Sequence, residues 1–89
     1  MKNSYLEVTF RHGRPLAAYL YLPRGPKDKS YRTERVNPGL VIDYSRGGKP
    51  IGVEITAPTK LSAPALNRVL RRLGVPPVTS ADLAPLRAA

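Results

Sequence analysis

The chain has 89 residues, which is enough for one domain but not for two. Fifteen Lys and Arg against six Asp and Glu give a formal net charge of +9, and this favours attraction to polyanions or to acidic proteins without selecting between them. The absence of cysteine excludes disulfides and thiolate chemistry, and a single histidine excludes an imidazole-rich metal site, so no cofactor or metal is expected.

Two strands are predicted first, over residues 5–11 and 16–22, because apolar and polar side chains alternate in both. The turn between them is too short for a crossover, so they should form an antiparallel hairpin. The side chains expected on the core-facing side are Leu6, Val8 and Phe10, followed by Leu16, Ala18, Leu20 and Leu22. Tyr5, Tyr19 and Tyr21 fall on the opposite side.

An exposed loop follows at residues 23–30, because this segment holds two prolines, a glycine and several charges. Residues 31–36 predict a third strand, and their polarity favours the edge of the sheet. Asn37, Pro38 and Gly39 predict a turn.

The clearest pair of strands is predicted at residues 40–44 and 51–56, joined by a turn containing Gly47 and Gly48. The expected register is simple: Tyr44 faces Ile51, Ile42 faces Val53 and Leu40 faces Ile55. All six side chains then lie on one face, whereas a slip of one residue would scatter them.

A helix is predicted over residues 62–73, with Ser62 as its N-cap and Gly74 just after its end. Its apolar stripe consists of Leu66, Val69, Leu70 and Leu73. The order of elements predicts an α+β domain at 1–78: an antiparallel sheet of about five strands, covered on one face by the C-terminal helix. Residues 79–89 are expected to form a short turn and tail.

No apolar stretch approaches the roughly 18 residues that a membrane span needs, and the N-terminus lacks the apolar run of a signal peptide. We therefore expect a cytoplasmic protein that makes no contact with a membrane. A chain this short builds a thin core and often gains stability from a second copy, which makes a homo-oligomer the expected state.

The second hairpin also carries a resemblance. Residues 41–44 read Val-Ile-Asp-Tyr and residues 52–55 read Gly-Val-Glu-Ile. In this the chain resembles a small bacterial domain family of unknown function, whose members end in a Val-Asp-Tyr strand followed by Gly-Ile-Glu-Ile. The resemblance covers roughly residues 5–57 and is most specific in this hairpin.

Some members of that family are encoded beside RelE-like toxins, so the resemblance implies an antitoxin-like role in binding a partner protein, with DNA as a further possible ligand. The chain departs from the family pattern at residues 12–15 and 45–49, where acidic residues give way to His12, Arg14, Arg46 and Lys49. Both changes move the charge from negative to positive.

Three tyrosines form the candidate protein interface: Tyr5, Tyr19 and Tyr21. Tyrosine makes large contacts at low entropic cost, which suits a surface for self-association or for a partner protein. The same side chains could stack single-stranded nucleic acid, or could simply be residues that favour strands.

The candidate polyanion contacts are basic residues of the helix and its surroundings. They are Arg32, Arg35, Lys60, Arg68, Arg71 and Arg72. Such residues can contact phosphates, or can form the ordinary solvated side of an amphipathic helix. No helix-turn-helix or other DNA-reading pattern accompanies them.

Catalysis is not expected. Asp43 and Glu54 are the carboxylates most able to converge, as diagonal neighbours roughly 7 Å apart across the hairpin. No third group, partner histidine or phosphate loop accompanies them, and His12 lies in a turn where a solvated side chain is expected. The sequence thus predicts a non-enzymatic interaction module with no small-molecule substrate, and a basic nucleic-acid-binding domain as the alternative.

Overall fold

The computed structural model describes residues 4–36 and 39–87. In these two ranges, five strands are followed by one α-helix. The strands are β1 (Tyr5–Arg11), β2 (Arg14–Tyr21), β3 (Arg32–Val36), β4 (Leu40–Tyr44) and β5 (Pro50–Ile55). Helix α1 spans Ala63–Arg72, and single 3-10 turns lie before and after it at Pro58–Lys60 and Ala84–Arg87.

The strands form one antiparallel sheet in the order β1-β2-β5-β4-β3. The predicted α+β class and the two hairpins are therefore confirmed. The polar strand β3 lies at one edge, as predicted, and β1 lies at the other. The turn predicted at residues 37–39 and the end of the tail at 88–89 fall largely outside the described residues.

The second hairpin has the predicted register over most of its length, with Ile42 opposite Val53 and Leu40 opposite Ile55. The prediction was wrong at the turn end, where Tyr44 pairs with Pro50 instead of Ile51. The register shifts between Asp43 and Tyr44, so one residue of β5 has no direct partner there.

The first hairpin contains a similar irregularity, and it overturns the predicted position of Leu16. Thr9 pairs with Ala17 and Phe10 pairs with Pro15, so Leu16 is the extra residue of a bulge. Its side chain is 53% exposed, and Phe10 is 48% exposed. Strict alternation therefore describes β2 only from Ala17 onwards.

The core contains residues from one face of the sheet and from the segment that follows β5. One cluster of buried residues contains Leu20, Ile42 and Val53 from the sheet together with Leu66 and Leu70 from α1. Leu83 and Leu86 were not predicted as core residues, yet both are fully buried in the same cluster. Within the described residues, no helix combines the length and apolar character needed to cross a membrane.

The two residues predicted to cap the helix, Ser62 and Gly74, both do so. The Ser62 hydroxyl accepts a hydrogen bond from the amide of Ala65, which is one of the otherwise unpaired donors of the first turn. Gly74 has a φ of 72°, and the amide of Val75 donates to the carbonyl of Leu70, which closes the end of α1 in a Schellman motif.

Candidate interaction surfaces

The sheet presents a tyrosine face opposite the core. We use this name for the side that carries Tyr5, Tyr19 and Tyr21, as the sequence predicted. Tyr5 lies opposite Tyr21 on β1 and β2, and Tyr19 lies opposite Glu54 on β5. The pairing thus brings the three tyrosines together on two adjacent strands.

Tyr19 is held in place by contacts within the chain. Its ring lies over Gly52, where any Cβ would overlap the Tyr19 hydroxyl and ring carbons. The hydroxyl donates a 2.6 Å hydrogen bond to Asp43 Oδ2 on β4. Burial, with the adjacent Asp43 carboxylate, raises the pKa of the Tyr19 phenol above its usual range. Tyr19 therefore connects three strands, β2, β5 and β4, and its side chain is already engaged within the sheet.

Tyr5 and Tyr21 form the accessible part of the tyrosine face. Their rings stack with centroids 4.4 Å apart, and the Tyr21 hydroxyl donates to Glu7 at 3.3 Å. Tyr5 is 60% exposed. The pair borders an open cavity of about 650 Å³, whose far side is formed by the loop that carries Arg24. Tyr5 is therefore the most exposed of the three tyrosines, and its ring is stacked on Tyr21.

The tyrosine face carries charges of both signs. Glu7, Asp43 and Glu54 lie on it, three of the six acidic side chains of the chain. Arg35 shares this face through its pairing with Val41, and Arg11 shares it because it follows Thr9 by two residues on β1. Arg24 lies beside the Tyr19 hydroxyl and opposes the rise in its pKa. The carboxylates beside the tyrosines therefore have cations around them.

The comparisons with known proteins bear on the strands that form this face. Residues 17–57 match the family model DUF2283. That family is described as proteins of unknown function. The DUF2283 match begins within β2 and ends two residues after β5, so it includes Tyr19, Asp43 and Gly52 and leaves out β1 and α1. No curated protein matches the chain, and no solved structure does.

The predicted polyanion contacts are divided between the two sides of the sheet. Arg32 and Arg72 meet around Glu34 and Tyr44: the Arg32 guanidinium lies 4.2 Å from the Tyr44 ring centre, and Arg72 lies 3.6 Å from the Glu34 carboxylate. The Tyr44 hydroxyl donates to the same carboxylate at 2.8 Å. Burial, together with this hydrogen bond to Glu34, raises the pKa of Tyr44. Arg35, by contrast, lies on the tyrosine face.

The other three cations are exposed. Arg68 and Arg71 lie on the solvent side of α1, and Lys60 ends the 3-10 turn before the helix. Arg68 and Arg72 border a shallow cavity of about 360 Å³ together with Val36 and Val69. The basic surface therefore centres on α1 and the core-facing side of β3.

The loop at residues 23–30 is organised around Asp28. Its carboxylate accepts a 2.8 Å hydrogen bond from the amide of Gly25 and lies 3.2 Å from Lys49 Nζ in the turn between β4 and β5. The Gly25 amide and the Lys49 ammonium lower the pKa of Asp28. Arg24 donates to the Asp28 carbonyl at 2.8 Å. Asp28 thus ties this loop to the second hairpin.

The carboxylates considered for acid–base chemistry are diagonal neighbours, since Asp43 pairs with Gly52 and Glu54 pairs with Val41. Asp43 is engaged by Tyr19, and Glu54 is exposed. His12 lies in the exposed turn between β1 and β2. Across residues 4–36 and 39–87, no three metal-ligating side chains converge.

Two residues that organise the structure were not predicted from the sequence. Gly52 is needed because Tyr19 lies against it, and a lone glycine inside a strand pattern is the signal that indicates such a close approach. Asn67 makes two hydrogen bonds with the backbone of Val78, at 2.8 and 2.9 Å. Nothing local distinguishes Asn67 from a solvated helix residue.

Proposed function

We propose that this protein is a non-enzymatic interaction module that associates with itself and binds a partner protein through its tyrosine face. The observation that supports this is the stacked pair of Tyr5 and Tyr21, which borders an open cavity and leaves Tyr5 60% exposed. Rigid aromatic side chains supply much of the binding energy at protein interfaces. An antitoxin-like role, with a RelE-like toxin as the partner, is the specific form of this proposal.

The carboxylates next to the aromatic pair favour a protein partner over nucleic acid at this surface. Glu7 and Glu54 are exposed beside the aromatic pair, and they would repel a phosphate backbone. A partner that presents cations or hydrogen-bond donors around an apolar centre is complementary to this face.

Co-expression with the product of the neighbouring gene tests the proposal. The two proteins should co-purify, and the double substitution Tyr5→Ser and Tyr21→Ser should abolish co-purification because the stacked pair is lost. Tyr31→Ser is the matched control, since Tyr31 is 66% exposed beside Arg46 and does not line the cavity next to Tyr5 and Tyr21. Retention of the complex by the double variant, or its loss with Tyr31→Ser, would count against a role for this face.

Nucleic-acid binding through α1 is the second candidate, supported by the exposure of Arg68 and Arg71 beside Arg72. Affinity for DNA or RNA should then fall steeply with salt, because each phosphate contact releases counterions. Replacing all three arginines by Ala should weaken binding and flatten the salt dependence. Absence of binding at low ionic strength would remove this candidate.

A further inference from the structure

The two edges of the sheet differ in how they are protected. At one edge, β3 carries Arg32, Glu34 and Arg35, and such charges discourage pairing with another strand. At the other edge, β1 is seven residues long and carries an apolar row of Leu6, Val8 and Phe10. An unprotected edge strand is a template for pairing with another chain.

The apolar side chains of β1 are incompletely covered. Leu6 and Val8 pack against the core cluster but are only half-buried, whereas their partners Leu20 and Ala18 on β2 are at most 4% exposed. Phe10, the next residue on this side, is 48% exposed. An additional strand beside β1 would cover this row.

The hydrogen-bond pattern shows which backbone groups of β1 point outward. The amide of Leu22 donates to Ile51 on β5, so Leu20 and Ala18 direct their backbone groups toward β5 as well. Tyr21 and Tyr19 therefore direct theirs toward β1. It follows that the residues opposite Leu20 and Ala18, which are Leu6 and Val8, direct their amides and carbonyls away from the sheet.

Charge and geometry together select one register for a second copy of this strand. Outward-pointing residues must face each other, so a two-fold axis passes through a residue and not between two. An axis through Glu7 sets two carboxylates opposite each other, which is destabilising. An axis through Thr9 pairs only residues 7–11, because the turn begins after Arg11.

An axis through Val8 pairs all seven residues of β1. Leu6 then faces Phe10 of the second copy, Glu7 faces Thr9, and Tyr5 faces Arg11. No like charges are opposed, the half-covered apolar row is completed by itself, and Arg11 can lie against an aromatic ring.

We propose that two copies of this chain join through antiparallel pairing of their β1 strands about Val8, which creates one continuous ten-stranded sheet. This inference rests on the self-association in the proposed function and adds its geometry. The tyrosine faces of the two copies lie on the same side of the joined sheet and stay free for a partner.

Amide hydrogen exchange measured by NMR tests the pairing without any substitution. The native mass should be twice that of the monomer. The amides of Leu6 and Val8 should exchange at least about tenfold more slowly in concentrated than in dilute protein, because only the dimer protects them. Glu7 and Thr9 should be protected at both concentrations, because their amides point toward β2.

Single-cysteine variants test the register, and the parent chain has no cysteine that could form a competing disulfide. Val8→Cys should form a disulfide dimer, since residues paired at the axis lie about 5.5 Å apart between Cα atoms. Glu7→Cys and Thr9→Cys are matched controls. Each would lie about 8 Å from its copy, which is too far for a disulfide.

The outcomes separate this inference from the proposed function. A dimer in which Leu6 and Val8 exchange freely, or in which Glu7→Cys or Thr9→Cys cross-links instead of Val8→Cys, overturns the β1 pairing while self-association stands. A monomer at every concentration overturns the pairing and self-association together. Partner binding through Tyr5 and Tyr21 is then decided by the co-purification experiment alone.

Discussion

Gly52→Ala should destabilise the protein because of Tyr19 and not because of backbone strain. The φ of Gly52 is outside the left-handed region, so Ala fits the backbone, but its Cβ would occupy the space of the Tyr19 ring and hydroxyl. Tyr19 must then move, and its 2.6 Å hydrogen bond to Asp43 is lost. A hydrogen bond to a charged group contributes about 1.5–3 kcal/mol, and partial solvent access places the loss toward the lower figure.

A double-mutant cycle isolates this effect. In a Tyr19→Ser background the steric conflict is absent, and Gly52→Ala should stabilise the strand by about 0.5–1 kcal/mol, because Ala loses less conformational freedom than Gly. The coupling between the two substitutions is then of order 2 kcal/mol. Urea unfolding followed by far-UV circular dichroism measures all four free energies of unfolding.

Gly47→Ala is the matched control, since a Cβ at Gly47 meets no atom within 4 Å. Its free energy of unfolding should stay within about 0.5 kcal/mol of the parent. If Gly52→Ala has the same cost with and without Tyr19, contact with the Tyr19 ring is not what requires glycine at this position. That result would refute the steric explanation.

Three further measurements test the core, the connection after the helix and the loop. Leu86→Ala should lower the free energy of unfolding by about 2–5 kcal/mol, because Leu86 is fully buried. Leu16→Ala should change it little, because Leu16 is 53% exposed. Equal effects of the two substitutions would contradict the burial of Leu86. Asn67→Ala should cost about 1–3 kcal/mol in the same assay, because part-buried backbone groups lose their partners, and a neutral result would show that water replaces them. Asp28 should contribute to stability above the pKa that its carboxyl group has in the unfolded chain, and this contribution should be lost as pH falls through its lowered pKa in the folded protein. Lys49→Met should raise the folded-state pKa of Asp28, measured by NMR titration, because the ion pair is removed. An unchanged pKa would argue against the ion pair.

The sequence alone predicted most of the sheet because its information there is local. Alternation places Ile42 and Val53 on one face, and the turn between the strands limits how they can pair. The same holds for the helix, where Ser62 and Gly74 act on backbone groups within one turn of themselves. The three tyrosines were also placed together correctly, since period-two patterning needs no knowledge of distant residues.

Only the tertiary structure decided the features that depend on neighbours distant in sequence. Leu16 is exposed in a bulge because Thr9 and Phe10 pair with Ala17 and Pro15 on the neighbouring strand. Tyr19 reaches Asp43 because β5 lies between their two strands and has a glycine, Gly52, under the Tyr19 ring. Leu83 and Leu86 become core residues because the chain returns to the sheet after α1. Periodicity describes which side of its own element a residue lies on, whereas burial and contact depend on which other element lies against that side.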